Sequence, residues 1–250
     1  MNKYFWLVAV IAMGVAASAS ARVYKSSEAS FCGDMVCDDF DEDGTPDWCG
    51  QLMCDSAGRP LTGTVQEFNE YGKVTAETGY HDGKLDGLER QYYQDGGLYS
   101  EIRYINGQRS GVMRTFYENG VIRRHGMYEN DKENGVFEEY NEHGNLLSKV
   151  NYVHGQKEGP EYTYYLGGKP HSEVNYVDGV AEGAGKVYFA NGKIAEEGNY
   201  REGKKDGIHR WYDENGQLKA EAAYNSGKII TLNVYDKDGK KVHLNGKELK

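Results

Sequence analysis

Residues 87–111, GLERQYYQDGGLYSEIRYINGQRSG, span one unit of a 24-residue pattern that recurs without insertion or deletion from Gly63 to Thr231. The seven units open with Gly63, Gly87, Gly111, Gly135, Gly159, Gly183 and Gly207. Seventeen positions after each glycine stands a tyrosine, and together these tyrosines form what we call the tyrosine column: Tyr80, Tyr104, Tyr128, Tyr152, Tyr176, Tyr200 and Tyr224. A fixed period of this length is the signature of a repeat protein, whose units pack mainly against their neighbours.

Each unit carries two turn signals. The first is represented by Asn119-Gly120 and the second by Asp82-Gly83, and only Asp131 replaces the glycine of the second signal. Asn-Gly and Asp-Gly favour two-residue type I′ hairpins, because both central residues adopt positive φ. The sequence therefore predicts an all-β fold of tandem β-hairpins over residues 63–230, in an elongated, twisted antiparallel sheet.

Alternation along the second strand of each unit predicts two different faces. We expect aliphatic residues such as Leu98 and Ile122 on the same face as the tyrosine column. The opposite face carries a glutamate column, interrupted by His125 and Lys149: Glu77, Glu101, Glu173, Glu197 and Glu221. The tyrosine column is either core or an open binding face, and the glutamate column is either a solvated face or a track for a cation or a basic partner.

The first 21 residues have the pattern of a secretory signal peptide, with Lys3, an apolar run and a small-residue cleavage site at Ala19-Ser20-Ala21. The alternative is an N-terminal membrane anchor, for which the apolar run is short. We expect an exported protein, periplasmic or secreted, with no membrane span after cleavage. The net charge of −10 and the lack of a basic stripe argue against a nucleic-acid partner.

Residues 22–62 differ in composition from the repeats and contain all four cysteines: Cys32, Cys37, Cys49 and Cys54. An even number of cysteines in an exported chain favours disulfides. The symmetrical spacing favours nested pairs, Cys32 with Cys54 and Cys37 with Cys49, and a zinc site is the alternative. We interpret this segment as a cysteine-framed cap on the first repeat.

Between the inner cysteines lies an acidic loop of the form D-x-D-x-D-G-x-x-D. Its candidate metal ligands are Asp39, Asp41, Asp43, the Thr45 carbonyl and Asp47. Carboxylates at alternate positions before a turn glycine suit calcium. The loop resembles the calcium loops of thrombospondin type 3 repeats, which implies a structural calcium ion; the alternative is a solvated acidic loop.

The 24-residue period ends at Thr231, and residues 231–250 are predicted to form C-terminal capping strands that end in a lysine-rich segment. Charged residues on a terminal strand oppose edge-to-edge association of sheets.

The unit G-x4-Y-Y-x-x-G-x4-E-x-x-Y-x-x-G-x-x-x-G, as in residues 87–111 and 183–207, resembles the bacterial variant of the MORN repeat found in YwqK-like antitoxins. This resemblance covers residues 63–240. It implies tandem β-hairpins and binding to other proteins, in some cases to a toxin that is neutralised.

No catalytic motif occurs in the sequence, and the glycines recur at hairpin turns instead of in a phosphate-binding loop. We therefore expect no enzyme. Two functions remain: a protein-interaction scaffold or adaptor in the bacterial envelope, or a glycan or cell-wall binding module that uses the tyrosine column. The sparse tryptophan favours the first, since only Trp211 lies within the repeats.

Overall fold

The computed structural model describes residues 22–37 and 49–242, and for residues 34–37 and 49–50 it describes the backbone alone. These residues form one long, twisted antiparallel sheet of successive hairpins, which confirms the predicted fold class. The predicted signal peptide and the last eight residues lie outside the described part. Within 22–37 and 49–242 there is no helix with the length and apolarity that a membrane crossing requires.

The strands follow the repeat closely. Ahead of the repeats lie β1 (Val23–Lys25), a 3₁₀ turn (Ser26–Glu28), β2 (Ala29–Cys37) and β3 (Cys49–Asp55). The first four repeats contain β4 (Gly63–Phe68), β5 (Val74–His81), β6 (Lys84–Tyr92), β7 (Leu98–Ile105), β8 (Gln108–Phe116), β9 (Ile122–Glu129), β10 (Lys132–Glu133), β11 (Gly135–Tyr140) and β12 (Leu146–Val153). The remainder contains β13 (Gln156–Lys157), β14 (Gly159–Tyr164), β15 (Pro170–Val177), β16 (Val180–Tyr188), β17 (Ile194–Arg201), β18 (Lys204–Tyr212), β19 (Leu218–Asn225), β20 (Lys228–Tyr235) and β21 (Lys241–Val242).

The second turn of each repeat is the predicted two-residue hairpin, and it also joins neighbouring repeats. In repeat one, Asp82 and Gly83 have φ of 46° and 81°, and His81 pairs with Lys84 across them. The turn glycine donates its N–H to a carbonyl of the preceding repeat, as from Gly107 to Leu85 at 2.6 Å. Side chains of the preceding repeat, such as Asp86, accept the N–H of the first turn residue. These bonds satisfy turn groups that would otherwise need water.

The first turn of each repeat differs from the prediction of a type I′ turn. Only its glycine has positive φ, as at Gly72 with 75°, while Tyr71 does not. The N–H of Gly72 donates to the Asn69 carbonyl, and the N–H of Asn69 donates to the Lys73 carbonyl. This is a type I turn closed by a glycine in the left-handed region, the longer hairpin loop that also suits a right-handed twist.

A β-bulge beside this first turn corrects the predicted placement of the aliphatic residues. Gln91 pairs with Ser100, but its neighbour Tyr92 pairs with Leu98, so Tyr99 has no partner in this ladder. Directly paired residues share a face, and consecutive residues of a regular strand do not. Leu98 therefore lies on the face of the glutamate column and not with the tyrosine column, because the extra residue reverses the alternation.

The cysteine-framed segment packs against repeat one. Strands β2 and β3 pair as a separate antiparallel hairpin, in which a disulfide joins Cys32 and Cys54 and the backbone places Cys37 opposite Cys49. Met53 donates its N–H to the carbonyl of Gly83 at 2.7 Å, and Gly83 donates to the carbonyl of the buried Leu61 at 2.8 Å. Leu61 thus stands where Leu85 stands one repeat later, so the segment continues the turn-to-turn bonding of the repeats.

The core is thin and lies on the tyrosine face. Met113, Phe137 and Val150 form its buried cluster, with Tyr128 and Tyr152 packed against them. The large residues of this core face glycines on the adjoining strand. A Cβ on Gly126 would lie 2.4 Å from the Phe137 ring, and one on Gly198 would lie 2.2 Å from Nδ1 of His209. Close packing of large against small residues fills the space between neighbouring strands.

Candidate functional site

The tyrosine column is a half-buried part of the packing. All seven tyrosines are neither fully buried nor fully exposed. Phe137 stands edge-on between Tyr128 and Tyr152, with ring centroids 5.6 and 5.2 Å away. The buried His209 takes the same place between Tyr200 and Tyr224, at 5.6 and 5.1 Å. Edge-to-face contacts of this kind stabilise aromatic clusters, so the column is largely a structural ladder.

Cationic side chains cover several rings of the tyrosine column. The guanidinium of Arg109 lies 4.4 Å from the centre of the Tyr128 ring, and Nζ of Lys157 lies 4.8 Å from that of Tyr176. Nζ of Lys205 lies 5.7 Å from the centre of the Tyr224 ring. A cation over an aromatic face is an attractive contact. It also occupies a ring surface on which a sugar would have to stack.

Burial and acidic residues together raise the pKa of several tyrosines of the column. Burial, with the nearby negative charge of Glu89 and a hydrogen bond to it, raises the pKa of Tyr104. Burial and the Glu161 carboxylate likewise raise the pKa of Tyr176. Both effects favour the neutral phenol. The phenol groups of both residues thus stay protonated over a wider pH range than a free tyrosine.

On the opposite face the glutamate column pairs with the strands beside it. Glu101 accepts hydrogen bonds from Arg90 at 2.9 Å and from Arg114 at 3.1 Å. Glu77 accepts from Gln66 and from the Tyr92 hydroxyl, both at 2.7 Å, and these bonds lower the pKa of Glu77. The column therefore uses much of its charge within the sheet instead of presenting it to a cation.

Repeat three and repeat four exchange the charges of this pattern. His125 and Lys149 stand at the glutamate positions, and Glu138 lies between them at a position that holds arginine in three other repeats. Glu138 lies 3.0 Å from Nε2 of His125 and 2.9 Å from Nζ of Lys149, and it accepts a hydrogen bond from the Tyr140 hydroxyl at 2.7 Å. The Tyr140 and Lys149 hydrogen bonds lower the pKa of Glu138. An acidic residue between two basic ones thus replaces the glutamate between two arginines seen at Glu101, and the cross-strand ion pairs are kept.

A row of exposed apolar residues crosses the same face in repeats two to four, and we call it the apolar row. Its members, with their exposed fractions, are Ile105 (42%), Val112 (37%), Met127 (52%) and Val136 (42%). Val112 is the register partner of Met127, and Val136 follows on the next strand. Our sequence reasoning missed this row. A repeat-by-repeat comparison could have found it, because Asn151, Asn175 and Asn199 stand at the position of Met127.

The predicted metal ligands Asp39, Asp41, Asp43, Thr45 and Asp47 lie outside the described residues. In the described segments no group of three or more histidine, cysteine, aspartate or glutamate residues is arranged to hold a metal ion. The Cys32–Cys54 disulfide agrees with the nested pairing for that pair.

Comparison with known proteins identifies the repeat. The family model described as "MORN repeat variant" matches six segments that together cover more than half of the chain: residues 85–106, 109–130, 133–154, 157–178, 181–202 and 205–226. Repeat one is not among them, although β4 and β5 give it the same two strands. None of the curated proteins matches the chain.

Among solved structures, a mutant of the Photorhabdus luminescens Tc holotoxin pore is similar at 12% identity, over 80% of this chain and 14% of that chain, with a TM-score of 0.22. The crystal structure of TcdB2-TccC3-TEV is 14% identical over 85% of this chain and 15% of that chain, with a TM-score of 0.19. This chain spans only a small part of their length, and we infer nothing from similarity at this level.

Proposed function

The chain belongs to the MORN repeat variant family, and we propose that it is a non-enzymatic scaffold or adaptor that binds a protein partner in the bacterial envelope. The observation that carries this proposal is the apolar row, whose four side chains are each at least 37% exposed. Contiguous exposed apolar groups with a polar surround are typical of protein-interaction sites.

A protein partner fits the surface better than a glycan does. Sugar stacking needs open aromatic faces, and Arg109, Lys157 and Lys205 cover rings of the tyrosine column. The apolar row contains no aromatic residue on which a sugar could stack. The glycan-binding alternative would thus depend on the tyrosines that these cations leave uncovered.

Three further features belong to the same proposal. Cleavage after residue 21 would release an exported chain, periplasmic or secreted. A calcium ion held by the acidic loop would be structural and would order the cap on repeat one. The YwqK-like resemblance makes a toxin that this protein neutralises one form of partner.

Crosslinking of the mature protein in its native envelope, followed by mass spectrometry, tests the proposal. We expect recurrent capture of one protein and crosslinked peptides that map to the repeats. Pull-down with insoluble peptidoglycan is the companion measurement. Depletion of the chain from solution by peptidoglycan, without any recurrent protein crosslink, would replace the scaffold proposal with the glycan-binding alternative.

A further inference from the structure

We propose that the apolar row and Arg103 together bind an extended segment of a partner protein, with an apolar side chain over Met127 and a carboxylate against Arg103. This inference rests on the proposed scaffold function and goes beyond it, because it assigns the site and the chemistry of the partner.

The repeats themselves show that the fold does not require these residues. Arg103 and Met127 occupy equivalent positions in consecutive repeats, and the next three repeats place Asn151, Asn175 and Asn199 there. Those asparagines lie in strands β12, β15 and β17, with the same hairpin pairing as Met127 in β9. An exposed methionine therefore adds apolar surface that the sheet can form without.

Arg103 provides the positive charge of the site, while Glu129, which lines the same depression, accepts a hydrogen bond from the Asn134 amide. Arg103 is exposed and forms no ion pair with any residue in the described part of the chain. Nearby arginines do form such pairs, since Arg90 binds Glu101 at 2.9 Å and Arg109 binds Asp131 at 2.9 Å. An unpaired guanidinium at the border of an apolar surface favours a partner carboxylate, which it can bind through two hydrogen bonds.

The shape of the surface fits a narrow partner segment. The four members of the apolar row lie on the adjoining strands β7, β8, β9 and β11, so the row is about 14 Å across at the usual spacing of strands. Ile105 and Arg103 border the same shallow depression as Met127. Methionine adapts its shape to varied apolar partners, and arginine and methionine are both enriched at interfaces. A membrane is a poorer occupant, because the chain carries a net charge of −10 and anionic lipids would repel it.

Selection of random peptides displayed on phage against the purified mature chain tests the inference. We expect the enriched peptides to carry aspartate or glutamate next to aliphatic or aromatic residues. Synthetic copies of those peptides should bind Met127→Asn and Arg103→Asn at least about tenfold more weakly, as for residues at the centre of an interface. Arg103→Lys should retain part of the affinity. Because asparagine occupies this position in three repeats, both variants should melt at the temperature of the parent.

Ile208→Asn is the matched control, since Ile208 is a 39% exposed aliphatic residue on the same face of repeat seven. Its peptide affinity should stay unchanged. Enrichment of basic peptides, or equal binding to all variants, would refute the inference. So would self-association of the chain that Met127→Asn abolishes, because a second copy would then be the occupant. Capture of an envelope protein through another face would refute this site but leave the scaffold proposal standing, whereas capture of none would remove the scaffold proposal itself.

Discussion

Substitution of Gly198 by alanine tests how the thin core is packed. Gly198 faces His209, whose side chain is fully buried between Tyr200 and Tyr224. The new Cβ would lie 2.2 Å from Nδ1 and 2.3 Å from Cε1 of the imidazole. The ring would have to move, although its Nε2–H donates to the Asn199 carbonyl at 2.8 Å.

The size of the effect follows from these contacts. Forcing one extra methyl group into a packed core costs about 1–3 kcal/mol, and weakening the buried hydrogen bond of His209 costs about 1 kcal/mol. The reduced freedom of alanine in the unfolded chain returns about 0.4–1 kcal/mol. Gly198 does not have positive φ, so backbone strain adds nothing. We therefore expect Gly198→Ala to lower the free energy of unfolding by about 1–3.5 kcal/mol.

Urea unfolding followed by fluorescence of Trp211 measures this change, because that ring lies 6.2 Å from His209. A Trp48→Phe background leaves Trp211 as the sole tryptophan of the mature chain. The control is Gly167→Ala, since Gly167 lacks positive φ and has no atom within 4 Å of an added Cβ. The control should be neutral or slightly stabilising. A Gly198→Ala free energy of unfolding within about 0.5 kcal/mol of the control would refute the packing argument.

Three other predictions concern charge, pH and metal. Glu138→Arg should lower the free energy of unfolding by about 1 kcal/mol, because the new arginine would stand between His125 and Lys149 at partly exposed positions. Adding His125→Glu and Lys149→Glu to this variant should restore its stability. Urea unfolding measures both changes. Burial and the hydrogen bond to Glu77 raise the pKa of Tyr92 from 10.0 to about 12. The neutral Tyr92 hydroxyl therefore contributes fully to the free energy of unfolding below pH 10, and this contribution is lost as the pH rises to 12. Thermal melts across that range should show a steeper loss for the parent than for Tyr92→Phe, and equal slopes would contradict the assignment. Chelation of calcium should lower the melting temperature of the disulfide-intact chain if the acidic loop holds the ion, and an unchanged melting temperature would remove the metal site.

Much of the fold could be predicted because the turn residues recur at a fixed spacing. The second turn requires positive φ at Asp82 and Gly83, and an Asp-Gly dipeptide predicts this backbone conformation without reference to the rest of the fold. The type of the first turn was harder to predict from the sequence. A similar dipeptide there closes a longer loop, in which the glycine has positive φ and the residue before it does not. The bulge at Tyr99 could not be read from alternation, because alternation assumes that no residue is left unpaired.

The candidate site was predicted less well. Sequence reasoning pointed to the tyrosine column as a binding face, but the cations over its rings come from side chains about 19 residues away along the chain, as Arg109 does for Tyr128. It also overlooked the apolar row, since Met127 and Val112 look like ordinary strand residues until their face and exposure are known.

By itself, the sequence determined the number and length of the hairpins, the positions of their turns and the antiparallel order of the sheet. These depend on backbone conformations that a few local residues impose. Only the tertiary structure decided which face each side chain occupies after the bulges, that Gly198 leaves space for His209, and that Arg103 lies unpaired beside Met127. These features depend on contacts between neighbouring strands, which the spacing of residues within one strand does not predict.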